Sequence, residues 1–79
     1  MTIKDVIPLV AKVYDTHAAG CCLHLITDDG NLRDSDIAFC IQDAKDHNHP
    51  ICLTAALAIA QLSRTQRNKL YKSYQEYAH

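Results

Sequence analysis

Ile51-Cys52-Leu53-Thr54-Ala55-Ala56-Leu57-Ala58-Ile59-Ala60-Gln61-Leu62 is apolar at every position except Thr54 and Gln61. A segment apolar on all sides is expected to be surrounded by the rest of the chain. Its twelve residues fall short of the roughly 20 needed to cross a bilayer, and its four alanines favour helix over strand. It therefore reads as the central helix of a small all-α protein. The whole chain, residues 1–79, is expected to be a single compact bundle of four to five short helices around it.

The surrounding sequence supplies the partners. Ile3, Val6, Ile7, Val10, Val13 and Tyr14 recur at helical spacing and predict a first helix over about 3–16. Thr2 and Asp5 resemble a capping box at its start. Pro8 lacks an N–H and crowds the carbonyl four residues back, so a kink is expected close to the N-terminus. Residues 18–29 read either way. Ala18, Cys22, Leu25 and Ile26 share a helical stripe, whereas Cys22 to Thr27 also suits a short buried strand. Gly30 in a left-handed C′ position, followed by Leu32, favours a helix stop.

Asp34 or Ser35 is expected to cap the next helix, with Ile37, Cys40, Ile41 and Ala44 as its buried stripe and an end near Asp46. Phe39 falls off that stripe, which leaves a helix buried on two sides or an exposed anchor for a partner. His47 to Pro50 form a tight connector, with Pro50 suited to the first turn of the central helix. Ser63 and Gln66 form a second capping box. A last helix is predicted to run to about Tyr77, with Leu70, Tyr71, Tyr74 and Tyr77 on its apolar face.

Composition places the chain among ordinary globular domains, with 48% hydrophobic and 22% charged residues. A domain this small buries only about 60–65% of the surface its unfolded chain exposes, so its core is modest. No basic region followed by an apolar run opens the sequence, which suggests a cytoplasmic protein with no membrane partner. A reducing compartment in turn suggests that Cys21, Cys22, Cys40 and Cys52 are free thiols. The formal charge of −1 hides an asymmetry. Asp28, Asp29, Asp34, Asp36, Asp43 and Asp46 cluster in one segment, and Arg64, Arg67, Lys69 and Lys72 in another. One acidic and one basic surface are expected.

Several chemistries can be weighed against these residues. Zinc takes thiolate and imidazole ligands, and Cys22, His24, His49 and Cys52 would make a zinc-stabilised Cys/His helical module. No Cys-x-x-Cys pair supports it, and buried cysteines and surface histidines account for the same residues. His24 beside Asp28 and Asp29 could tune general-base chemistry given a pocket, although a solvated helix terminus explains them equally. The oxygen-rich loop from Asp28 to Asp36 lacks the EF-hand register. The basic last helix with its interleaved tyrosines could follow a phosphate backbone, but the acidic segment and near-neutral total argue against direct nucleic-acid binding. It would serve equally to dock an acidic protein surface or a second copy in a homodimer. No phosphate loop, dinucleotide fingerprint or nucleophile elbow is present, and the residues call for no cofactor.

Leu23-His24, Asp28-Asp29-Gly30-Asn31, Asp36, Cys40, Leu62-Ser63, Gln66-Arg67 and Leu70-Tyr71 together resemble small uncharacterised proteins encoded by phages and prophages. The resemblance covers residues 21–71. Those relatives tend to carry small residues such as glycine where this chain has Cys21 and Cys22, a departure that weakens the zinc reading. The resemblance implies a genomic setting and no reaction: a non-enzymatic accessory protein that binds a host protein complex in the host cytoplasm. An inhibitor of a defence complex such as a CRISPR effector is one such protein, which makes the chain an anti-CRISPR candidate. Aspartates on a compact domain can imitate nucleic-acid phosphates. The partner-binding candidates are accordingly Asp28, Asp29, Asp34 and Asp36, with Arg64, Arg67 and Lys72 as a second patch.

Overall fold

The computed structural model describes residues 2–16 and 33–78. These form five helices: α1 (Ile3–Thr16), α2 (Asp34–Asp46), α3 (Pro50–Ala60), α4 (Arg64–Asn68) and α5 (Leu70–Ala78). No strand occurs among the described residues, and the fold is the expected all-α bundle. The two readings of residues 18–29 lie outside the described residues.

α1 begins where Asp5 accepts hydrogen bonds from the backbone N–H and the hydroxyl of Thr2, at 3.0 and 3.1 Å. These bonds favour the carboxylate and hold Asp5 below its ordinary titration range, the backbone bond contributing most. Pro8 sits inside the helix with its ring exposed. Val6, Ile7, Val10 and Val13 are buried as one stripe, flanked by half-buried Ile3 and Tyr14.

The α2 stripe is Ile37, Cys40 and Ala44, with Ile41 half-buried. Its cap is Arg33, one residue earlier than expected. Asp34 is thus the first helical residue, and Asp36 accepts the Arg33 N–H at 3.1 Å. α2 ends in a Schellman turn. The His49 N–H donates to the Ala44 carbonyl at 2.8 Å and the Asn48 N–H to that of Lys45 at 3.3 Å, with Asn48 at φ 55°. This turn lets Pro50 open α3 at once.

α3 packs against both α2 and α1, and α1 also packs against α5. Cys52, Ala55, Ala56, Ala58 and Ile59 are buried. The expectation that α3 is enclosed on every side is corrected: Pro50, Thr54, Leu57 and Gln61 form an exposed stripe at helical spacing, and Leu57 is 46% exposed. Small alanines let α1 and α2 approach α3 closely on its buried faces.

Ser63 and Gln66 close the expected capping box. The Gln66 N–H donates to the Ser63 hydroxyl at 3.2 Å, and the Ser63 N–H to the Gln66 side chain at 3.0 Å. The predicted single last helix is instead two, divided at Lys69, whose N–H bonds back only three residues to Gln66 in a tightened turn. Leu70 is fully buried, Tyr71 and Tyr74 are half-buried, and Tyr77 is exposed.

Candidate functional site

The two charged patches expected from sequence meet at one contact. Arg67, on α4, is buried with 8% of its side chain exposed, and it donates to the carboxylate of Asp34, which is 83% exposed. Its second terminal nitrogen donates to the Ala60 carbonyl at 3.1 Å. Ala60 is the last residue of α3, where helix carbonyls lack intrahelical partners and carry partial negative charge. Asp34 opens α2, where the helix dipole favours a carboxylate. One guanidinium therefore complements the end of one helix and the start of another.

The electrostatics follow from that geometry. The hydrogen bond from Arg67 and then its charge hold the Asp34 carboxyl below its ordinary range, with Arg64 adding a smaller pull in the same direction. The Nε of Arg67 is buried without a hydrogen-bond partner, which offsets part of the gain. A shallow crevice lined by Asp34, Ile37, Ala38, Ile41, Ala60 and Arg67 lies alongside.

Asp34, Arg64 and Lys72 are exposed and Asp36 is half-buried at the α2 start. Asp28 and Asp29 lie outside the described residues. Sequence periodicity missed the burial of Arg67, because its partner carboxylate is 33 positions away.

The surface of α2 has a second feature. Phe39 is 62% exposed, and its helical neighbours on that face are Ser35, Asp36, Gln42, Asp43 and Asp46. Gln42 donates to Asp46 at 2.9 Å, and His47 lies 3.2 Å from the Asp43 carboxylate. The outcome is an aromatic side chain set in an acidic rim. α2 is therefore not buried on the side that carries Phe39.

The zinc alternative and the expectation of four free thiols both require correction at Cys52. Cys52 is disulfide-bonded, so it offers no thiolate to a metal. Cys40 is a buried, reduced cysteine. His49 packs edge-on to His47 with ring centroids 6.2 Å apart. Cys22 and His24 lie outside the described residues, as does the His24–Asp28 pair weighed as a general base. Among the described residues no three histidine, cysteine or acidic side chains group as metal ligands. No described helix is long and apolar enough to cross a membrane.

No protein-family model, curated protein or solved structure matches the chain.

Proposed function

We propose that the chain is a non-enzymatic protein-binding accessory protein of phage or prophage origin. It acts by occupying the surface of a host protein complex, with inhibition of a defence complex such as a CRISPR effector as the specific form. The observation that carries the reading is Phe39 standing exposed within an acidic rim on α2. An aromatic anchor ringed by polar groups is the arrangement in which a few residues supply most of the binding energy. The carboxylates give that surface a preference for basic grooves, such as those that hold nucleic-acid backbones.

The test is co-purification of the chain with purified CRISPR effector complexes, comparing wild type with Phe39→Ala and Asp46→Lys. Neither side chain is needed by the core, so both variants should fold. Binding by wild type that falls at least about tenfold in each variant supports the reading, as expected for an anchor and a close charge. Binding unchanged in both would remove the α2 face from the proposal.

A further inference from the structure

An open groove of about 640 Å³ runs between α1 and α5, lined by Ile3, Lys4, Ile7, Ser73, Glu76 and Tyr77. Its floor is apolar. Ile7 is buried there and Ile3 half-buried, while Tyr77 stands 58% exposed although the preceding apolar residues of α5 pack inward. The two sides of the groove carry opposite charges, Lys4 on α1 and Glu76 on α5. Both side chains are exposed, and neither is held by a hydrogen bond or ion pair to another described residue.

We infer that this groove is the contact face for a second copy of the chain, in a two-fold symmetric dimer. Symmetric pairing requires a surface that complements itself. A two-fold axis along the groove sets α1 of each copy over α5 of the other, so Lys4 faces Glu76 of the partner subunit and the contact occurs twice. An axis across the groove would instead set α1 over α1 and bring the two lysines together. Charge therefore selects the first arrangement. It also covers the exposed ring of Tyr77 and the apolar floor, adding buried apolar surface to a domain whose own core is small.

A stable interface removes about 800 Å² per partner, which is about one sixth of the 4884 Å² surface of this chain. A groove between helices of 14 and 9 residues covers a smaller share. The dimer accordingly sits at the weak end of specific interfaces. This inference is independent of the α2 face and of the function proposed for it.

The experiment is sedimentation equilibrium of wild type, Lys4→Glu, Glu76→Lys and the double exchange, over about 10–500 µM chain, a range in which weak pairing is populated. Circular dichroism melts of all four confirm that the exposed substitutions leave the fold intact. Each single exchange turns two attractive contacts into two repulsive ones and should weaken the dimer by about tenfold. The double exchange restores both pairs and should return the Kd to the wild-type range. A wild type that stays monomeric throughout overturns the inference and leaves the groove to a different protein. A dimer indifferent to the single exchanges, or not restored by the double one, overturns it equally.

Discussion

The guanidinium of Arg67 and the carboxylate of Asp34 are bonded across 33 positions of sequence, one almost wholly buried and the other almost wholly exposed. The exposed partner has water as an alternative and the buried one does not. Removing either side therefore has unequal consequences.

Arg67→Ala should lower stability by about 1–3 kcal/mol, since it strips the Ala60 carbonyl of its donor and leaves a void at the α3 end. Arg67→Lys should recover only part of the loss, because an ammonium lacks the planar fork that reaches two acceptors at once. Urea unfolding of the three proteins measures this. Equal midpoints would show that the contact contributes nothing.

Asp34 titrates below its ordinary value of 3.8 when folded. A depressed carboxyl contributes stability above its unfolded pKa, and that contribution disappears as pH falls through the folded pKa. Wild type should therefore lose more stability than Asp34→Asn on acidification from about pH 5 downward. Thermal melts at stepped pH values would show the two curves converging at the acid end. Parallel curves would refute the assignment.

Asn48 holds the left-handed position of the turn between α2 and α3. Asn48→Ala keeps the Cβ but loses the short polar side chain that eases asparagine into this conformation, and should cost a fraction of the roughly 1–2 kcal/mol left-handed penalty, whereas Asn48→Gly, with no Cβ, should be at least as stable as wild type. A chemical denaturation series reads the difference. An alanine variant as stable as wild type would mean that the turn relaxes elsewhere.

Cys52 is both buried in the core and disulfide-bonded. Reduction should lower the unfolding free energy by about 2–4 kcal/mol, as for cross-links that restrain the unfolded chain. Urea curves with and without a phosphine reductant test this. Coincident curves would show that the cross-link does not stabilise the fold.

The helices were legible because their signals are local. Val6, Val10 and Val13 announce the buried face of α1 by their spacing, Ser63 and Gln66 announce a cap, and Pro50 announces a first turn. The misread features depend on contacts that no window of sequence contains. The apolar character of Leu57 suggested enclosure, yet its exposure depends on how many helices reach α3. The charge of Arg67 suggested a surface, yet its place is set by two helix ends that meet only in three dimensions. The local signal points to Asp34 or Ser35 as the cap, but Arg33 holds that position and the Asp34 carboxylate bonds to Arg67. For the candidate site, Phe39 stood out from its stripe, and its acidic neighbours followed from helical spacing alone.

The stack of Tyr14 on Tyr74, with ring centroids 4.9 Å apart, joins the first helix to the last. α2 and α3 pair across one short turn, whereas this stack closes a loop of roughly sixty residues, and long closures cost more entropy than short ones. The order of assembly should follow that cost, with the α2–α3 hairpin forming early and α5 docking onto α1 late. The same seam is then the first to part in the native state, so amide hydrogens of α5 should exchange with solvent faster than those of α3. Because the chain has no tryptophan, its ultraviolet emission comes from tyrosine, and the Tyr14–Tyr74 stack makes that emission a built-in reporter of this last docking step.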